Sequence, residues 1–255
     1  MEVNGYTIKP RADLLKAKLA GAKLAGADLS GANLALAHLR GANLALAHLT
    51  GANLRGANLT DVDFTNANLT NANLTGANLT NANLLNALLT DANLTGANLT
   101  LAHLNRANLT NANLTGANLT LAYLRGANLR GIDLRGIDLT GANLKGAKLA
   151  GANLEGANLE GANLTDVDFT NANLTNANLT NANLLGTDLS GTFGAPFYGT
   201  REAFSHFRKD GQPKKSYATR FLADAAVHKL PVLDKNDFNS YQCGDHFHIG
   251  HSRNQ

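Results

Sequence analysis

An all-β solenoid is the fold class this 255-residue sequence predicts, and three observations predict it. From Ala12 to Leu189 the chain repeats every five residues. Counting by fives from Leu14, all 36 central positions are Leu except Phe64 and Phe169. Two residues before each of these, 31 of the 36 are Ala, the exceptions being Val62, Ile132, Ile137, Val167 and Thr187.

A helix cannot use a period of five. At about 3.6 residues per turn, successive leucines land roughly 140° apart and leave no apolar stripe. In a short extended segment, by contrast, the Ala and the Leu lie two apart and share one face, while the residue between them faces the other way. The remaining two residues must turn the chain. The second of them is usually Gly or Asn, as at Gly56, Gly76, Asn71 and Asn111, and both types tolerate turn dihedrals. Each pentapeptide is therefore a minimal strand plus a corner.

One unit buries only a methyl group and a Leu side chain, too little to offset the entropy of ordering five residues. Stacked turns bury a continuous core and pair their backbones, so the repeat implies a tube filled with Leu and kept narrow by Ala.

How many pentapeptides close a turn does not follow from the period. The A-(N/D)-L-x-x pattern, as in Ala52-Asn53-Leu54-Arg55-Gly56, resembles the pentapeptide-repeat proteins, and the resemblance covers about residues 12–190. It implies a right-handed quadrilateral β-helix of four repeats per turn, hence about nine turns. At about 4.8 Å per turn the rod is on the order of 43 Å long. Residues twenty apart then become vertical neighbours.

The ends need covers. Residues 1–11 offer Val3, Tyr6 and Ile8, followed by Pro10, as an N-terminal cap. At the other end Phe193, Phe197 and Tyr198 are expected to cover the last turn. Residues 191–255 read as a small C-terminal α/β cap or module. Thr200 caps a helix over Arg201–Lys209, Ser216 caps a second near Tyr217–Lys229, and Gly244-Asp245 turns a hairpin.

Charge divides with the architecture. Residues 1–190 carry 13 basic and 13 acidic side chains, whereas residues 191–255 carry 9 and 6, so the net +3 resides in the tail. A neutral rod is a poor nucleic-acid binder by bulk electrostatics. The tail's Arg208, Lys209, Lys214, Lys215 and Arg220 make a basic nucleic-acid-binding tail one alternative function. No stretch of 18 or more apolar residues suggests a membrane span, and no secretory leader is visible at Met1–Tyr6. The single cysteine, Cys243, excludes an internal disulfide framework, so a cytoplasmic setting is expected.

On the outside of the tube the middle position holds 21 Asn and 7 Asp, read as supports for the corners. His38, His48, His103 and Tyr123 depart from that rule. A twenty-residue turn would place His48 over Asp28, His103 beside Tyr123 and Leu101 beside Leu121. Leu101, His103, Leu121 and Tyr123 then form one apolar patch, the candidate partner contact on the rod. Thr follows the central residue in 17 of 36 repeats, and Thr60, Thr80, Thr100, Thr120 and Thr140 would stand in one column. Such a column suits strands, and a regular hydroxyl array could instead bind ice. Arg125, Arg130 and Arg135 occupy successive sides and so form no single phosphate-binding stripe. Asn163–Thr180 repeats Asn58–Thr75 without a change, an internal duplication that places Phe64 and Phe169 on adjoining sides.

Cys243, His246, His248 and His251 are four zinc-type ligands within nine residues, the metal-site candidate. The stretch loosely resembles small actinobacterial and phage modules in which two cysteines suggest a zinc ribbon. Only Cys243 and the Phe247-His248 pair match here, so a metal-free cap stays open beside zinc. No other cofactor is expected. No enzyme is expected either, because the interior is dry and the repeats lack pocket-forming loops.

The function that follows is a scaffold binding a protein partner through a rod face or the C-terminal module, with a homodimer left open. The family resemblance implies an alternative. Several such proteins imitate duplex DNA and bind type II topoisomerases such as gyrase, which requires a strongly negative surface. This rod sums to zero.

Overall fold

The computed structural model describes residues 1–194 throughout, and beyond them the backbone of three short strands. The chain opens with a hairpin of β1 (Glu2–Val3) and β2 (Tyr6–Thr7), in which Glu2 pairs with Thr7 and Val3 with Tyr6. Asn4 and Gly5 form its turn with φ of 53° and 79°, the left-handed pair that a tight hairpin requires. Ile8 is buried, and Val3 and Tyr6 pack on the core. The Tyr6 hydroxyl accepts the Lys18 amide at 3.2 Å. This hairpin lies on the start of the coil.

From Asp13 to Asn173 the middle residues, Asn113 excepted, pair in parallel with the residue twenty positions later, beginning with Asp13↔Asn33, Lys18↔His38, Lys23↔Asn43 and Asp28↔His48. One coil is therefore twenty residues and four pentapeptides. The backbone bonding repeats with the same rhythm. Leu34 N donates to Asn53 O, Asn53 N to Ala32 O, and Gly56 N to Thr75 O. A further bond closes each corner within the chain, such as Ala57 N to Leu54 O at 3.0 Å. Corner residues from Arg11 to Gly191 have φ between 56° and 71°, whether or not they are glycine. The tube interior is the Ala and Leu set, essentially solvent-free from Ala17 to Ala107 apart from traces at Ala22 and Ala27.

The outward Asn and Asp are tied into this scaffold. Asn73 Oδ1 accepts both the backbone N–H of Thr75 at 3.0 Å and its hydroxyl at 2.6 Å. The same pair of bonds recurs at Asn58–Thr60, Asn78–Thr80, Asn98–Thr100, Asn118–Thr120 and Asp138–Thr140. Asn side chains also bridge coils, as Asn53 Nδ2 to Asn33 Oδ1 at 3.2 Å. The threonine column is thereby explained. Each of its five hydroxyls is committed to the neighbouring Asn or Asp, which stiffens the step from strand to corner.

Among the described residues the ladder breaks in one place. Five backbone bonds that every other coil makes are missing between segments 111–116 and 130–138: those of the Asn111, Leu114, Gly116, Asp133 and Asp138 amides. The bridge Asn113↔Asp133 is absent as well. Ile132 and Ile137 lie in this seam, on consecutive sides of one coil, at positions sized for Ala. The corner bond records their bulk. It measures 2.8–3.1 Å at alanines from Ala17 onward, 3.2 Å at Val62 and Val167, and 3.4 and 3.2 Å at Ile132 and Ile137. Two adjacent isoleucines push the coil outward further than the backbone bonds tolerate. A cavity of about 220 Å³ opens there, lined by Leu114, Thr115, Asp133, Leu134, Arg135 and Ile137.

The repeat also runs further than the sequence rule. Phe193 pairs with Asn173, and Leu174 N donates to Phe193 O at 2.8 Å. Phe193 thus occupies an outward middle position and is 58% exposed, so it does not cover the core as expected. Thr192 replaces Ala there, and its hydroxyl folds back to Leu189 O at 2.8 Å. Phe197 and Tyr198 lie outside the described residues.

Farther on, β3 (Ser216–Tyr217), β5 (His246–His251) and β4 (Phe238–Cys243) form an antiparallel sheet in that order. The strands flanking Gly244-Asp245 pair with Cys243 opposite His246, the register of a tight hairpin. The helix start expected at Ser216 and Tyr217 is corrected to strand, and the rest of that expected helix, to Lys229, lies outside the described residues. Ser216 and Tyr217 pair with His248 and Phe247, because the open edge of β5 offers backbone partners that one serine cap cannot outbid. The expected helix over Arg201–Lys209 lies outside the described residues. Among the described residues no helix is long and apolar enough to cross a membrane.

Candidate protein-interaction surface

The four sides of the coil are numbered by their middle residues. The first carries Asp13, Asn33 and on to Asp133; the second Lys18, His38 and on to Asp138; the third Lys23, Asn43 and on to His103 and Tyr123; the fourth Asp28, His48 and on to Lys148 and Asp168. Phe64 belongs to the third side and Phe169 to the fourth, adjoining as the duplication implies.

Four corners hold leucine in the left-handed region, Leu36, Leu46, Leu101 and Leu121, with φ of 56–62°. A β-carbon there costs roughly 1–2 kcal/mol, which Gly avoids and Asn tolerates. All four leucines are exposed, by 38–60%. Each is followed two residues later by His38, His48, His103 or Tyr123, so corner leucine and outward aromatic come as a pair.

Two of these pairs are isolated and two are stacked. Leu36 and Leu46 stand at different corners. Leu101 and Leu121 share one corner between the second and third sides, with Leu121 N bonded to the next coil at Thr140 O. Beside them on the third side, the rings of His103 and Tyr123 stack with centroids 4.6 Å apart and planes 27° apart. Leu121 leans over Gly141 so closely that a Cβ there would lie 2.7 Å from its Cδ2. Tyr123 remains 39% exposed. The four residues read from the sequence as a patch are thus assembled on one edge of the rod.

Other candidates resolve differently. Asp28 lies beside His48, but the Ser30 hydroxyl and amide are what chiefly hold its carboxyl below the usual range, and His48 adds the least. Arg125, Arg130 and Arg135 fall on the third, fourth and first sides. Arg135 clasps Asp133 at 2.7 Å, which raises the guanidinium and lowers the carboxyl pKa. Arg130 reaches Asp168 at 4.0 Å. Cys243, His246, His248 and His251 belong to the hairpin strands, where Cys243 faces His246 across the pair and His251 lies opposite Phe238 at the far end. Their side chains lie outside the description. Among the described residues no cluster of His, Cys, Asp and Glu could hold a metal ion.

The family description "Pentapeptide repeats" matches overlapping stretches from residue 12 to residue 193. The chain belongs to the pentapeptide-repeat family. Among solved members it is similar to HetL, a pentapeptide repeat protein involved in heterocyst differentiation regulation in the cyanobacterium Nostoc. The identity is 35% over 74% of this chain and 91% of that one, with a TM-score of 0.38. A pentapeptide repeat protein of the Arabidopsis thaliana thylakoid lumen is 35% identical over 44% of this chain and 71% of its own, with a TM-score of 0.32. QnrB1, a plasmid-mediated fluoroquinolone resistance protein, is 21% identical over 71% and 87%, with a TM-score of 0.32. No curated protein sequence matches the chain.

Two features of this family member escaped the sequence reading. The coupling of corner leucine to outward aromatic was visible as a recurring Leu-Ala-(His/Tyr)-Leu. The seam was signalled by Ile132 and Ile137, but only stacked coils turn two large residues into a gap.

Proposed function

We propose that this chain is a non-enzymatic scaffold that binds a protein partner through the edge formed by Leu101, His103, Leu121 and Tyr123. The observation that carries this reading is the pair of exposed leucines at left-handed corners. Stability favours Gly or Asn there, and the same corner column holds Asp61, Asn81 and Gly141. A strained, exposed, apolar residue that the fold does not need is explained by a surface that it contacts. In the same reading the coil is the right-handed quadrilateral form, the C-terminal strands belong to a capping module, and the setting is cytoplasmic.

The test is a reversion to the repeat rule, Leu101→Asn, His103→Asn, Leu121→Asn and Tyr123→Asn together. Asn81 already bonds Asp61 across coils at 2.9 Å, so the variant extends existing ladders and should fold. Affinity capture beside a truncation ending at Gly194 locates the contact. Loss with the reversion and retention by the truncation is the expected result. Capture unchanged by the reversion refutes the rod-edge reading, and loss on truncation moves the contact to the tail.

The topoisomerase alternative draws on Asp133, Asp138, Glu155 and Glu160, carboxylates on the first and second sides, and at the corners that end them, in two successive coils. Duplex mimicry calls for charge along the whole rod, and the same sides also carry Arg40, Arg55 and Arg135. A gyrase supercoiling assay decides it, with inhibition at stoichiometric protein the supporting result.

A further inference from the structure

The rod is electrically neutral in sum but not across its width. Between residues 92 and 165 the acids are Asp133 and Asp138 on the first and second sides, Glu155 at the corner between them, and Glu160 at the corner between the second and third sides, two coils beyond Leu121. Over the same span the third and fourth sides and the corner between them carry Arg106, Arg125, Arg130, Lys145 and Lys148, with no acid. All five cations are exposed. Arg106 N donates to Arg125 O at 2.9 Å and Gly126 N to Lys145 O at 3.0 Å, so these residues occupy successive coils at one corner. Arg106 also lies across Gly126, whose added Cβ would stand 3.7 Å from its Cγ. Coils are about 4.8 Å apart and charges reinforce one another within a Debye length of about 8 Å, so the five act as one positive field. The next coil bounds the field with two acids: Asp168, the ladder partner of Lys148 and 4.0 Å from Arg130, and Asp166, at the corner that carries Arg106 and Lys145.

The third side therefore reads in a fixed order across its width. Leu101 and Leu121 stand at one corner, the stacked His103 and Tyr123 in the middle, and Arg125, Lys145 and Arg106 toward the other corner. We propose that this side and the adjoining fourth side receive an acidic peptide segment of a partner protein. Its apolar side chain would seat on Leu101, Leu121 and Tyr123, with its carboxylates over the five cations. The proposal rests on the protein-partner reading above and specifies the partner's chemistry. A peptide fits better than a nucleic acid because the cations span only three coils and adjoin exposed leucines, which phosphates and bases do not need.

Fluorescence anisotropy with the full-length protein tests it. The probes are four labelled ligands: 15-residue peptides with two leucines and otherwise acidic, basic or neutral polar residues, and a 15-nucleotide oligothymidylate. The acidic peptide is expected to bind selectively and to weaken as salt rises. Arg106→Glu, Arg125→Glu and Lys145→Glu together should weaken it at least tenfold. Lys18→Glu and Arg55→Glu, on the second and first sides, should change it less than twofold. Equal binding of the neutral or basic peptide, tighter binding of oligothymidylate, no binding of the acidic peptide, or indifference to the triple reversal would each overturn the proposal. The four-Asn reversion separates the two levels. Peptide binding lost on that reversion but unaffected by charge reversal keeps the rod-edge reading and ends the acidic one. Binding unaffected by either ends both.

Discussion

Replacing Ile132 and Ile137 with Ala should close the seam in the ladder at little net cost in stability. Elsewhere, truncating two core side chains is expensive: Leu74→Ala with Leu79→Ala should lose about 4–10 kcal/mol, because each removes buried methylenes and leaves a void. At the seam two terms oppose each other. Each Ile→Ala removes roughly three methylene equivalents at about 0.8 kcal/mol, hence about 5 kcal/mol for the pair. Against this, five missing backbone bonds can form, at about 0.5–1.5 kcal/mol each, or about 2.5–7.5 kcal/mol in all. No void should remain, since Ala is what the other coils pack at this position. The expected change is therefore within about 3 kcal/mol in denaturant unfolding. Hydrogen exchange supplies the local readout. The amides of Asn111, Leu114, Gly116, Asp133 and Asp138 should exchange at least about tenfold more slowly in the variant. A loss above about 4 kcal/mol together with unchanged exchange at these amides would refute the view that isoleucine bulk opens the coil.

Three further outcomes follow from the same geometry. Leu99, fully buried, should cost about 2–5 kcal/mol as Leu99→Ala, measured by the urea midpoint; a cost below 1 kcal/mol would contradict a packed interior. Asn73→Ala removes the acceptor of two bonds from Thr75 and should cost about 1–2 kcal/mol by the same measurement, whereas Asn73→Asp, which keeps the acceptor, should cost less. Asp138 is held below its ordinary 3.8 by the Thr140 hydroxyl, the Thr140 amide and Thr120. A depressed carboxyl stabilises the fold above its unfolded value and loses that contribution as pH falls through the folded one. Stability should therefore drop below about pH 4, and less steeply in Asp138→Asn; equal acid sensitivity of the two proteins would count against this contribution.

The candidate patch was legible at Leu101, His103, Leu121 and Tyr123, because each breaks a rule that dozens of repeats obey, and a twenty-residue coil brings them together. The charge field was not. Arg125 and Arg130 looked dispersed because successive repeats occupy different sides, and only the coil shows that the third and fourth sides meet at Arg106. Phe193 was misplaced for a related reason. An aromatic residue after the last leucine suggests a lid, yet the backbone ladder continued through Thr192 and took Phe193 as an outward residue.

The sequence by itself determined the tube, its Leu and Ala filling and the spacing of its corners, since a period of five leaves one residue pattern that can bury apolar groups. Tertiary structure decided whatever depends on the neighbour one coil away: the hydroxyl bonds that use the threonines, the stacked rings, the segregation of charge and the seam at Ile132 and Ile137. Those properties arise between residues twenty apart. A local pattern carries no information about contacts across coils until the coil's length is fixed.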